Sequence, residues 1–255
     1  MRSIDLNADL GEGYGPWSMG DDAAMLGIVT SANIACGGHA GDPDTMFDTL
    51  AVAGKNNVVV GAHPGYADRA GFGRRIIPMS PDEMARMIAA QIGALSAIAR
   101  LVDVDVRYVK AHGALANLAA GDGAVARVLV NTVQQVDERL AILAISGTEI
   151  ERAARSAGVQ VFSEVFADRG YQASGQLVPR RQPGALIHDP AEAVDRLLGF
   201  LETGLMPVVD GAPIPLAADS VCVHGDSPGA VDMTTQLRSR LLAAGVELRS
   251  FAATS

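Results

Sequence analysis

Four of the five histidines in this 255-residue chain stand just past a short β-type run. His63 follows Val58-Val59-Val60-Gly61-Ala62, His112 follows Tyr108-Val109-Lys110-Ala111, and His224 ends Val221-Cys222-Val223. His39 comes a few residues after the run that ends at Ile34, and His188 lies elsewhere. Acids and cations occupy equivalent places: Asn7, Asp9 and Glu12 close the first run, Asn33 and Lys110 sit on the second and fourth, and Asp168 and Arg169 follow the sixth. Imidazoles and carboxylates brought together move protons, and ammonium or guanidinium groups beside them clamp anions. A single histidine is as readily a hydrogen-bonded structural group as a catalyst. Packing alone gives no reason for polar groups to collect at one end of many strands, so as a set they point to an active site.

Such a gathering needs parallel strands. Runs of β character over 3–8, 29–34, 58–62, 106–110, 141–145, 160–167 and 220–224 alternate with longer amphipathic stretches, the pattern of a parallel sheet with helical crossovers. Seven runs suffice for a barrel, whose active site lies at the C-terminal strand ends. Several helix starts repeat one device, an N-cap followed by proline: Asp42-Pro43-Asp44, Ser80-Pro81-Asp82-Glu83, Asp189-Pro190-Ala191-Glu192 and Ser227-Pro228. After Pro81, the residues Met84, Met87, Ile88, Ile92, Leu95, Ile98 and Val102 form a stripe at helical spacing, so these methionines read as core filler. The stretch 168–183 is irregular and reads as a long functional loop, in which Arg180 and Arg181 are expected to be solvated charges. Glycines in Cys36-Gly37-Gly38-His39-Ala40-Gly41, Gly61-Ala62-His63-Pro64-Gly65 and His224-Gly225-Asp226 allow tight turns beside these groups.

Several chemistries are excluded or left open. A net charge of −9 disfavours nucleic acid as a partner, and only two of the 20 basic residues are lysines, Lys55 and Lys110. No signal-peptide stretch opens the chain, and apolar runs such as 140–145 fall short of the roughly 20 residues a bilayer requires, so no membrane role and a cytoplasmic location are expected. Cys36 and Cys222 make no disulfide framework and read as small buried residues. No phosphate-binding P-loop is present, since Gly54-Lys55 is followed by Asn56, and Gly11-Glu12-Gly13-Tyr14-Gly15 does not complete a dinucleotide fingerprint. Gly225-Asp226-Ser227-Pro228-Gly229 matches a nucleophile elbow, yet no histidine follows Ser227. Asp9 with His39 and His63 could bind zinc or another divalent ion, although no H-x-H, H-E-x-x-H or cysteine pair fixes such a site.

A resemblance now becomes visible. The segments Asp5-Leu6-Asn7-Ala8-Asp9-Leu10-Gly11-Glu12, Ser31-Ala32-Asn33-Ile34-Ala35-Cys36-Gly37-Gly38-His39-Ala40-Gly41-Asp42-Pro43, Gly61-Ala62-His63-Pro64-Gly65, Gly71-Phe72-Gly73-Arg74-Arg75, Phe166-Ala167-Asp168-Arg169 and Val223-His224-Gly225-Asp226 closely resemble the LamB/YcsF family. The likeness runs from Asp5 to the last helix. It implies an α/β fold: one seven-stranded β/α-barrel domain over 1–255, of the glycoside hydrolase/deacetylase type. It also implies the A-subunit role in a bacterial 5-oxoprolinase, opening 5-oxoproline to L-glutamate with ATP used by the complex and with partner subunits B and C. One departure stands out: the family reads K-P-H-G-A-L-Y-N where this chain reads Lys110-Ala111-His112-Gly113-Ala114-Leu115-Ala116-Asn117.

On the chemistry this resemblance implies, a lactam activated by phosphorylation is attacked by water. The expected catalytic set is Asp9, Glu12, His39, His63, His112, Asp168 and His224, with Asn7, Asn33, Lys110, Arg169 and Asp226 binding substrate. Two rivals are a metal-dependent deacetylase or amidohydrolase that works alone, and a non-catalytic subunit that carries a small carboxylate.

Overall fold

The structure, a computed structural model, describes residues 3–187, 189–224 and 229–252. Among them, seven parallel strands close into a barrel: β1 (Ser3–Leu10), β2 (Ser31–Ala35), β3 (Val59–His63), β4 (Val106–Val109), β5 (Ala141–Ile145), β6 (Val161–Phe166) and β9 (Ser220–His224). Each pairs with the next, and β9 returns to β1 with Asp9 in register with His224. The expected strands sit within about two residues of those observed, since β propensity marks a run but not where its ladder stops. A hairpin of β7 (Leu205–Met206) and β8 (Ile214–Pro215) stands apart, and β10 (Glu247–Leu248) pairs with the start of β1.

Helices cover the outside. α2 (Pro43–Lys55), α3 (Pro81–Ala99) and α7 (Pro190–Thr203) begin at the proline-marked starts, each capped by the Asp42, Ser80 or Asp189 side chain. The fourth expected start, Ser227-Pro228, lies outside the described residues, and α8 (Ala230–Ala243) opens just after it. The remaining helices are α1 (Asp22–Leu26), α4 (Gly113–Gly121), α5 (Gly123–Val136) and α6 (Glu149–Ala157). On α3 the residues Met84, Ile88, Ile92 and Leu95 are buried, Met87 and Ile98 pack beside them, and Val102 falls in a closing 3₁₀ turn. The 81–102 helix has the length and apolarity of a membrane span. Asp82, Glu83, Arg86 and Arg100 break its apolar run in the sequence, and in the fold it is a crossover whose stripe faces the barrel.

The barrel interior is polar. Alternation along β1 turns Ile4, Leu6, Ala8 and Leu10 toward the apolar core under the helices, while Asp5, Asn7 and Asp9 point into the barrel. Buried polar groups are tolerable only when they are hydrogen-bonded, and these are. Asp5 accepts from Thr30 and Ser31, both at 2.6 Å, and from Ser220. One layer up, Asn7 donates to Ser220 Oγ at 2.6 Å and to Glu164 at 3.0 Å, and Asn33 donates to Asn7 Oδ1 at 2.7 Å. The Phe251 ring closes the bottom against Tyr108 and Phe162, with centroids at 4.9 and 4.6 Å. The column is thus capped below and opens toward the C-terminal strand ends, where the site lies.

Candidate active site

Those strand ends surround a cavity of about 870 Å³. Asp9, Glu12, His63, Lys110, His112, Glu164, Phe166 and Arg169 line it, together with Phe72, Arg74, Arg180 and Arg181 from two loops. Lys110 is the hub of its floor. Its ammonium lies 2.9 Å from Asp9 Oδ1, 2.8 Å from Glu164 Oε1 and 3.2 Å from Cys222 Sγ. Burial by itself would push this lysine down, but the Asp9 and Glu164 carboxylates overcome it and hold the ammonium well above its ordinary range. Burial raises Glu164 against the pull of Lys110. Asn33 ties the floor to its support, donating to Asp9 Oδ1 at 2.8 Å and accepting from the Tyr108 hydroxyl at 2.7 Å.

Three imidazoles gather above this floor, His39 and His112 stacked and His63 edge-on to both. The ring of His63 donates from Nδ1 to the Lys110 carbonyl at 2.8 Å, because a carbonyl can only accept. Its Nε2 then faces His112 Nδ1 at 3.0 Å and Asp9 Oδ2 at 3.3 Å. His112 in turn donates from Nε2 to the Phe72 carbonyl at 2.9 Å. His39 lies flat on His112 with centroids 3.5 Å apart, its Nε2 sits 3.0 Å from Glu12 Oε1, and its Nδ1 is buried with no hydrogen-bond partner in the structure. Burial, then the neighbouring imidazoles, drive His39 well below its ordinary value and His112 down to about 3. One ligand atom each from Glu12, His39, His63 and His112 lies within 4.8 Å of the others, so the cluster could hold a metal ion. Main-chain carbonyls orient two of its imidazoles, as is usual for metal-bound histidine.

Loop backbone makes room for the stack. Phe72 adopts the left-handed φ of 53°, which aims its carbonyl at His112, and its ring meets both His39 and His112 edge-on. At the next residue, Gly73, a Cβ would come within 2.7 Å of His39 Cβ and 2.9 Å of His112 Cδ2, so only glycine fits. Asp68 fastens this turn through Arg75 and the Gly71 amide. Gln91 on α3 holds the preceding loop, donating to the Gly65 carbonyl and accepting from its amide.

The expected set is therefore partly brought together. Asp9, Glu12, His39, His63, Lys110 and His112 form one contiguous cluster, with Asn7 and Asn33 directly beneath it. Arg169 lines the cavity while its Nε and one terminal nitrogen donate to the Ala185 and Val178 carbonyls, and burial, then nearby Arg180, bring it down to about 10. Asp168 is buried but does not line the cavity, because the chain turns there into the loop. For His224 only the backbone is described, at the rim beside Asp9; Asp226, Gly225 to Pro228 of the elbow-like segment, and His188 lie outside the described residues. Cys36 and Cys222 are buried thiols, the first pushed up to about 12 by burial. Arg181 is exposed and Arg180 half-buried, in keeping with loop charges, and the loop folds back and presents both to the cavity mouth. Sequence reading missed Glu164, Tyr108 and Gln91. Glu164 had a signal, an acid at an inward position between Phe162 and Phe166, and Gln91 had one too, a polar residue on an otherwise apolar stripe.

The chain is similar throughout its length to known proteins. It is 48% identical over 252 residues to the third 5-oxoprolinase A subunit of Pseudomonas syringae pv. tomato, covering 99% of this chain and 98% of that one. It is 50% identical over 251 residues to the 5-oxoprolinase A subunit of Mycobacterium avium, covering 98% and 100%. Among solved structures, the lactam utilization protein of Thermus thermophilus superposes with a TM-score of 0.92 at 41% identity, over 98% of this chain and 100% of that one. The LamB/YcsF family model matches residues 4–255. With the barrel, its polar column and this match spanning nearly every residue, the chain belongs to the LamB/YcsF family.

Proposed function

We propose that this chain is the ring-opening subunit of an ATP-dependent 5-oxoprolinase, working with partner subunits B and C as one catalytic domain over 1–255 in the cytoplasm. The observation that carries the reading is the floor of the cavity. Two carboxylates, Asp9 and Glu12, touch imidazoles within a pocket that also presents one buried ammonium. Support for the substrate comes from the two 5-oxoprolinase subunits, each about half identical over the whole chain, and from the lactam utilization protein. The absence of a nucleotide motif from the sequence fits a complex in which a partner binds ATP.

An amide carbonyl is a poor electrophile, and phosphorylation of its oxygen by a partner, with ADP leaving, opens the carbon to attack. Water adds to that carbon as Asp9 or Glu12 accepts its proton. The carbon–nitrogen bond then breaks, its electron pair goes to nitrogen, and the protons released by the attacking water pass to that nitrogen through an imidazole of the cluster, leaving a glutamyl phosphate. A second water cleaves the phosphate, giving glutamate and inorganic phosphate. Acid–base help of this kind is worth about 10²- to 10⁴-fold. Lys110 and Arg169 hold the substrate carboxylate.

The test is glutamate formation by the reconstituted three-subunit system. Asp9→Asn, His63→Ala and Arg169→Ala each abolish it while the purified chains keep the wild-type fold by circular dichroism. Wild-type turnover in all three would refute the site. The Glu12, His39, His63 and His112 cluster favours one second reading, a metal-dependent amide hydrolase. That enzyme would turn over without ATP or partners and stop on chelation. A third reading, a non-catalytic carboxylate carrier, predicts that single histidine variants lose affinity and turnover together.

A further inference from the structure

Charge in the cavity is sorted by depth. Asp9, Glu12 and Glu164 share the buried floor with one ammonium, whereas Arg74, Arg180 and Arg181 reach it from exposed or half-buried positions at the mouth. Two loops far apart in sequence supply the arginines, one following β3 and one following β6. The second is held in place by Arg169, whose hydrogen bonds to the Ala185 and Val178 carbonyls neutralise no charge. Elsewhere in the chain Arg75, Arg107, Arg139, Arg152, Arg155 and Arg240 each pair with a carboxylate. Among the described residues, no carboxylate pairs with Arg180 or Arg181. The side chain of Arg74 lies over the Phe72 ring, 4.8 Å from its centroid, on the turn that also binds His112. In an acidic protein, guanidiniums from separate loops converging on one opening define an anion site.

We propose that Arg74, Arg180 and Arg181 form a phosphoryl-binding rim, distinct from the Lys110 and Arg169 pair that takes the carboxylate. This rests on the reading above and extends it: the substrate enters already phosphorylated, phosphoryl group at the mouth, with its scissile ring bond turned to the floor. A carboxylate carries one charge and is matched by a single fork. A phosphoryl group is close to dianionic at neutral pH and presents three acceptor oxygens, which suits several guanidiniums converging from different loops. The acidic floor repels a dianion, so the orientation follows from the same segregation of charge.

The measurement is calorimetric titration of the full chain with inorganic phosphate, and in separate arms with 5-oxoproline and with ADP. Wild type binds phosphate saturably. The Arg180→Ala/Arg181→Ala double variant, and Arg74→Ala, weaken that binding about tenfold or more, the loss of at least one charge-assisted bond, while 5-oxoproline affinity and the melting midpoint hold. No saturable binding by wild type, phosphate affinity in the double variant within about twofold of wild type, or equal loss of 5-oxoproline binding would each overturn the rim. ADP binding more tightly than phosphate, and lost in the double variant, would overturn it as well by making the rim a nucleotide site. Should phosphate behave as expected while the reconstituted complex forms no glutamate, the rim stands and the 5-oxoprolinase reading falls.

Discussion

Nδ1 of His112 lies 3.0 Å from Nε2 of His63, while the opposite nitrogen of each ring faces a main-chain carbonyl oxygen. Carbonyls fix the protons on those outer nitrogens, so in the neutral rings two lone pairs point at each other. Glu12 Oε1, 3.5 Å from His112 Nδ1, and Asp9 Oδ2, 3.3 Å from His63 Nε2, add negative charge to the same spot. Such an arrangement calls for a cation in its midst.

A divalent ion would fill that requirement. Titration with Zn²⁺ is expected to raise the melting midpoint, and at about 100 times the dissociation constant the gain is about 2.7 kcal/mol. His63→Ala or Glu12→Gln removes most of the gain. An unmoved midpoint in the wild type would show that the cluster holds no Zn²⁺.

The Lys110 and Glu164 ion pair gives the second prediction. Removing one partner of a buried pair leaves the other uncompensated, at a cost of about 3 to 5 kcal/mol. Lys110→Met strands Asp9 and Glu164 against each other at the floor, whereas Glu164→Gln leaves Lys110 with Asp9 and can keep an acceptor for Asn7. Urea unfolding therefore ranks Lys110→Met as the more damaging change. Equal midpoints for the two variants would contradict the hub role of the lysine.

Much of this arrangement was legible in the sequence. The histidines after the β runs, with Asn7 and Asp9 at the end of the first, placed the barrel and its open end, because strand-end chemistry is a local signal. What stayed hidden depended on long-range geometry. Glu164 sits within the apolar-looking Val161-Phe162-Ser163-Glu164-Val165-Phe166, and only barrel closure shows that its face meets Lys110. The path of the loop after β6, which swings Arg180 and Arg181 over the cavity and leaves Asp168 outside its lining, is set by hydrogen bonds such as Ile187 N to Asp168 O that no local pattern announces. Likewise, the sequence offered Asp9, His39 and His63 as metal ligands, whereas in the fold His39 and His63 gather with Glu12 and His112, and Asp9 is not among the four.

Packing at Gly61 supplies a third test. A Cβ there would lie 2.2 Å from Tyr108 Cε2, so Gly61→Ala must displace the ring whose hydroxyl donates to Asn33. Overpacking of this kind costs about 1 to 3 kcal/mol. Pairing it with Tyr108→Leu gives a less than additive loss in thermal unfolding, because the obstructing ring is gone. Strict additivity would mean that the two positions do not meet.

Asp5 makes the stability of the barrel depend on pH. Burial, opposed by the Ser220, Ser31 and Thr30 hydroxyls, raises its carboxyl from 3.8 to about 6. Between those two values the folded chain holds more protons than the unfolded chain, so this residue's contribution is fully present below about pH 3.8 and is lost as the pH rises through 6. A shift of about two units corresponds to about 3 kcal/mol. The amide introduced by Asp5→Asn would not titrate, and the surrounding hydroxyls can turn to accept from it. Relative to wild type, Asp5→Asn is therefore expected to gain about 2 to 3 kcal/mol between about pH 4 and pH 7, read as the difference between their urea unfolding free energies at each pH. Other titrating groups cancel in that difference, so parallel stability curves for the two proteins would show that Asp5 is ionised in the fold at its ordinary value.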